Sequence, residues 1–128
     1  MKREILEHMT DSELREYAAV VGFEAEPETA RKAIIDGIMH RENRTISVEA
    51  AGLSLTVDIA NMNDIRIAEI QGKDKQTIAN LEMFARYLFG ETQEKVIRDY
   101  VTDERGRVDG AAYAFIVGKM VDQVKEKN

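Results

Sequence analysis

The side chains from which catalysis or metal binding would have to be built in this 128-residue sequence are two histidines, three serines and twenty-four carboxylates. His8 and His40 stand far apart. Neither lies in H-E-x-x-H or any comparable ligand spacing, so both read as solvated surface residues. With no cysteine, neither a thiolate metal site nor a disulfide can form. The glycines at 52, 72, 90, 106, 110 and 118 are dispersed, and neither G-x-x-x-x-G-K-[ST] nor G-x-G-x-x-G occurs, so no backbone cradle for phosphate is expected. Asp103–Asp109 (DERGRVD) is acidic enough to suggest a calcium loop. It puts arginines where oxygen ligands belong, and no acidic residue follows at the twelfth position. Ser12, Ser47 and Ser54 lack a nucleophile-elbow context. The expectation is a protein without catalytic residues, metal or cofactor, acting by binding other proteins.

Bulk composition narrows the class further. Hydrophobic residues make up 44% and charged residues 33%, a globular balance with enough apolar material for a core. No run of 18 apolar residues occurs, so no membrane span is expected. The opening MKREILEHMTDSE interrupts its apolar residues with charge and has no small-residue cleavage site, unlike a secretory leader. A cytoplasmic setting is the expectation. The net charge of −6 opposes a phosphate backbone, and the acidity is shared. Residues 1–43 hold six Lys/Arg against ten Asp/Glu, and the remainder twelve against fourteen.

The elements that would position any functional side chain fall into two parts, 1–43 and 44–128. In the first, Thr10 and Glu13 form a capping-box pair, with Met9 and Leu14 as its hydrophobic staple. Leu14, Tyr17, Ala18 and Val21 share a helical face that Gly22 ends. Pro27 suits a helix's first residue, and Ala30, Ala33, Ile34, Gly37 and Ile38 line the helix expected to follow. Arg41–Arg44 reads as the junction. The periodicity then becomes two. Thr45–Val48 and Leu53–Ile59 alternate around Glu49–Gly52, predicting a short hairpin whose apolar face needs cover. Helices are expected over 62–71, 75–89, 92–101 and 110–126, with Asp109 as an N-cap. The fold class is mainly α (α+β): a helical bundle with one short β-hairpin and an N-terminal two-helix unit.

Apolar residues away from the core faces are candidates for contact with a partner. On the 75–89 helix, Ile78, Leu81, Ala85 and Leu88 define the expected buried stripe, which leaves Met83 and Tyr87 nearly opposite and one turn apart. On the last helix Tyr113, Val117, Met120 and Val124 form the stripe, and Phe115 points away with Lys119 and Asp122. The 62–71 helix is apolar on two sides, Ile65 and Ala68 against Ile67 and Ile70. Met83, Tyr87 and Phe115 are the predicted partner-binding residues, because flexible Met and aromatic side chains suit adaptable surfaces.

The C-terminal two-thirds, about residues 45–126, resembles the tail assembly chaperones of long-tailed bacteriophages. A hairpin TISVEAAGLSLTVDI precedes an Asp-led helix (NDIRIAEIQGKD), a helix ending YLFGE, a helix beginning TQEKVIRDYV, the turn DERGRVD and a closing amphipathic helix. The residues matching the family's punctuation are Asp64 and Glu69, then Leu88, Gly90 and Gln93, then Gly106 and Val108. Leu88 is followed by Phe89 before the glycine, and Arg66 sits in a helix usually more acidic. The resemblance implies a mainly helical, non-catalytic protein of the bacterial host cytoplasm. It would bind the tape-measure protein, with the tail tube protein as a further partner, and would form homo-oligomers. Separately, Ser12–Arg15, Val21–Phe23 and Ala30–Ile35 resemble the SAP/LEM-like helix–extended-loop–helix module. That resemblance implies an alternative, a nucleic-acid-binding accessory protein using Arg31 and Lys32, which the acidity of residues 1–43 disfavours. A virion component such as a head–tail connector is a third reading.

Overall fold

The computed structural model describes residues 1–73 and 77–127. The chain divides into two compact units, Met1–Arg44 and Thr45–Asn128, each with its own core.

The first unit contains three helices where two were expected: α1 (Arg3–Glu7), α2 (Asp11–Val20) and α3 (Arg31–Glu42). Five residues cannot sustain a helix alone, and α1 is held from outside. The Arg31 guanidinium donates to the carbonyls of Leu6, Glu7 and Met9 at its C-terminal end and pairs with Asp11 at 2.9 Å. The Thr10–Glu13 capping box opens α2, and Gly22 follows it at φ +80°. Pro27 does not start a helix. Arg15 donates to the carbonyls of Glu26, Pro27 and Thr29 at 2.9–3.2 Å, which holds this stretch as a loop, and α3 begins only at Arg31. Ala30 and Ala33 are therefore exposed, and the buried face of α3 is Ile34, Ile35 and Ile38, packed on Leu6, Leu14 and Ala18. Arg41 and Glu42 belong to the last turn of α3 rather than to a junction.

Two features of this unit depend on single residues. A Cβ on Gly37 would lie 2.2 Å from the Phe23 ring, so glycine is what allows the ring to rest on α3. Glu42 is buried, and its carboxylate accepts from the Tyr17 hydroxyl and the Met1 amino group. Burial, then the bond to the Glu42 carboxylate, pushes the Tyr17 phenol up to about 12.

The second unit opens with an antiparallel hairpin, β1 (Thr45–Ala50) and β2 (Leu53–Asp58), in the register Thr45↔Asp58 through Ala50↔Leu53. The turn is two residues, Ala51 and Gly52 at φ 51° and 83°, rather than the expected four. Such a turn matches the twist of paired strands, which lets Glu49 and Ala50 extend β1. Positive φ strains an alanine; the Tyr100 hydroxyl donates to the Ala51 carbonyl at 2.6 Å and fixes the turn there. A 3-10 turn (Ile59–Asn63) leads to α4 (Ile65–Gln71), α5 (Ile78–Phe89), α6 (Glu91–Tyr100) and α7 (Gly110–Lys127). The helix expected over 62–71 is divided because Asp64 caps α4, its carboxylate accepting from the Arg66 N–H at 2.9 Å. Residues 75 and 76 of the expected 75–89 helix lie outside the described residues.

Helices cover the hairpin's apolar face. Val48, Ala50, Leu55 and Val57 join Ile59, Ile67, Ile70, Leu88, Ile97 and the α7 stripe in one core, with α5 packed on β2 and α7 on β1. Tyr113, Val117, Met120 and Val124 are buried as expected, joined by Ile116 and Val121, and Asp109 caps α7 through the Ala112 N–H at 3.0 Å. The α5 stripe is rotated from expectation. Phe84 and Phe89 are buried with Ala85 and Leu88, whereas Ile78 is 47% exposed and Leu81 only partly covered. Two rings bury more area than the aliphatic pair, and the helix turns to take them inward. Among the described residues no helix is long and apolar enough to cross a membrane.

Two outcomes test the first unit. Gly37→Ala should lower its stability by about 1–3 kcal/mol through overpacking against Phe23, read as a lower melting temperature. The Tyr17 phenol is raised in the folded state, so its stabilisation is whole below the unfolded value of roughly 10 and is lost as pH rises through about 12. Phenolate absorbance should therefore show two late-titrating tyrosines, Tyr17 and Tyr113, and Tyr17→Phe should remove the earlier of the two.

Candidate functional site

The second unit carries an apolar groove. Its floor and walls are Ile70 at the end of α4, Leu81 and Phe84 on α5, and Val117 and Val121 on α7, with Gln71 and Asp122 at the rim. Its volume is about 210 Å³. Gly118 stands on the α7 wall in open space, where a Cβ would meet nothing within 4 Å. Small-molecule sites usually exceed about 300 Å³ and add convergent polar groups. This groove is smaller and lined mainly by hydrocarbon, dimensions that suit one or two side chains of an amphipathic helix.

Met83 and Tyr87 share one side of α5, one turn apart, and Phe115 lies on α7. Met83 is on the solvent side of α5, 38% exposed. Tyr87, one turn on, is half-buried, with the Arg66 guanidinium 4.1 Å from its ring centre, so it faces α4 rather than open solvent. Phe115 is 57% exposed on α7, and the Lys119 ammonium sits 5.6 Å from its ring. Phe115 precedes Gly118 by one helical turn and so stands beside the groove's α7 wall. None of the three lines the groove itself. The two-sided α4 buries Ile67 and Ile70 and leaves Ile65 71% exposed.

Behind the groove, α5, α6 and α7 are tied by charge. Glu94 is buried; Arg98 donates to its carboxylate at 2.9 Å and Tyr113 at 3.2 Å, and Arg86 approaches to 3.6 Å. Arg98 also pairs with Glu82 at 3.0 Å. Burial, then the neighbouring Glu94 charge, pushes the Tyr113 phenol up, while the two carboxylates hold Arg98 protonated. Within the family-like punctuation, Gly90 turns α5 into α6 at φ 86°, and the Gln93 side chain bonds the Thr56 backbone. Gly106 takes φ 79° in the turn that the Thr102–Val108 bridge closes. Asp64 is the α4 cap, Leu88 is fully buried and Glu69 is exposed.

The arginines of the first unit are engaged within it. Arg15, Arg31 and Arg41 all donate to main-chain carbonyls, and Arg3 pairs with Glu7 and Asp36. Lys32 beside them is exposed. Among the described residues no group of three His, Asp or Glu side chains is placed to hold a metal ion.

Comparison of the chain with protein-family models, curated proteins and solved structures finds no match.

Sequence reasoning missed the groove because its α7 wall is separated from α4 and α5 by all of α6 and the loop after it. The available signal was Gly118, a helix-interior glycine between the buried Val117 and Val121. Glu94 was equally hidden, one carboxylate among many. Glu94→Ala should destabilise the second unit by on the order of 3 kcal/mol, because Tyr113 loses its partner and Arg98 keeps only Glu82 in a partly desolvated site. Adding Arg98→Met should restore much of that loss, as chemical denaturation would show.

Proposed function

We propose that the chain is a phage or prophage tail assembly chaperone, non-catalytic and acting in the bacterial host cytoplasm. It holds the tape-measure protein soluble while tail tube subunits assemble. The observation that carries this reading is the apolar groove between α4, α5 and α7, beside the exposed Phe115. The resemblance over residues 45–126 supplies the client class. An amphipathic client helix would place one or two apolar side chains against Leu81, Phe84 and Val121, at Gly118, where the α7 backbone can be approached most closely. The net acidity keeps the loaded complex from self-precipitation. The nucleic-acid alternative gains no support from the first unit, whose arginines are engaged with carbonyls and carboxylates.

Co-expression with a tape-measure protein should raise that protein's soluble fraction and co-purify the two. Gly118→Leu fills the groove from an open, exposed position and leaves the core untouched, so it should abolish capture with little change in melting temperature. Phe115→Asp should weaken capture by roughly tenfold, the equivalent of about 1.4 kcal/mol. Capture that survives Gly118→Leu unchanged would reject the groove as the binding site, and failure of the unmodified chain to solubilise the client would reject the function.

A further inference from the structure

In a hairpin closed by a two-residue turn, alternate residue pairs exchange the ladder bonds and the others point their N–H and C=O outward. Here Ala50↔Leu53, Val48↔Leu55 and Ile46↔Val57 form the ladder, which leaves Ser47 and Glu49 facing out from β1 and Ser54 and Thr56 from β2. On each outer edge one residue has both groups taken by a glutamine. The Gln93 Oε1 accepts from the Thr56 N–H at 3.0 Å, and its Nε2 donates to the Thr56 carbonyl at 2.6 Å and to Phe89 at 2.9 Å. On the opposite edge the Gln123 Oε1 accepts from the Glu49 N–H at 2.9 Å, and its Nε2 donates to the Glu49 carbonyl. Lys127 adds a bond of 2.6 Å to the Ser47 carbonyl.

A side-chain amide presents its oxygen acceptor and one N–H donor along one edge of a plane, where they can meet the C=O and N–H of a single strand residue. Each glutamine therefore makes the pair of bonds that one residue of an added antiparallel strand would make. Gln93 comes from the first turn of α6 and Gln123 from the last third of α7, so the device arises independently on two edges. We infer that Gln93 and Gln123 are strand surrogates that close both edges of the hairpin and hold it at two strands. Unclosed edges are templates for another chain, and covering them directs partners away from the sheet.

Ser54 and Ser47 provide internal references, because among the described residues neither backbone N–H has a partner although each faces out beside a closed residue. Amide hydrogen exchange on the full chain should find Thr56 slower than Ser54, and Glu49 slower than Ser47, by about tenfold or more. Gln93→Ala should bring Thr56 to the Ser54 rate and leave Glu49 unchanged, and Gln123→Ala should do the reverse. The double variant should associate with rising concentration in sedimentation experiments and gain β signal in circular dichroism. Equal rates within each pair of the unmodified chain would overturn the inference, and so would a folded double variant that stays monodisperse like the parent. Should the alanine variants unfold, the exchange comparison in the unmodified chain decides, with Gln93→Glu as the milder change: it keeps the acceptor for the Thr56 N–H and removes the donor.

Discussion

A two-stranded hairpin cannot bury both of its faces, and in the second unit this constraint sets everything else. Val48, Leu55 and Val57 point to one side and would lie in water unless helices covered them. The chain after Asp58 meets that need with α5 against β2 and α7 against β1. The opposite face carries Thr45, Ser47, Glu49, Ser54, Thr56 and Asp58, all exposed. The sheet is thus a one-sided floor. Its hydrophobic contribution becomes available only when helices distant in sequence arrive.

Arrival alone would leave the helices free to slide, since aliphatic contacts are weakly directional. Glu94 limits that freedom. A buried carboxylate must be matched by donors in fixed directions, and Arg98 and Tyr113 meet it from α6 and α7 while Glu82 on α5 takes the other side of Arg98. Such a network adds less to net stability than its count of bonds suggests. It selects one arrangement of three helices, and the groove lined by α4, α5 and α7 belongs to that arrangement. The first unit reaches definition by another route. Its helices are short, and arginine side chains reaching across to carbonyls replace the contacts that a larger core would provide.

Local chemistry made much of this legible from the residues. The Thr10–Glu13 box, Gly22, the period-two run from Thr45 and the Asp109 cap each act within a few positions, and the structure has all of them. What was not legible depends on partners far along the chain. Pro27 has the right φ to begin a helix, yet Arg15, a dozen positions earlier, claims the carbonyls that helix would use. Helix α1 exists because of Arg31. Phe84 and Phe89 displaced Ile78 from the core by size, which helical spacing alone does not rank. Of the candidate surface, Phe115 was readable as an off-face residue. Tyr87 was readable as off the stripe, but not as the seat of Arg66.

The modest size of the groove has a kinetic meaning. If the groove is the client site proposed above, a space of about 210 Å³ admits only one or two side chains, and a single engagement would bury little and end quickly. Retention of a long, repetitive ligand would then be a matter of avidity, with many brief contacts made by several copies along its length. Each copy could be displaced in turn by a growing assembly without any one bond having to be broken by force.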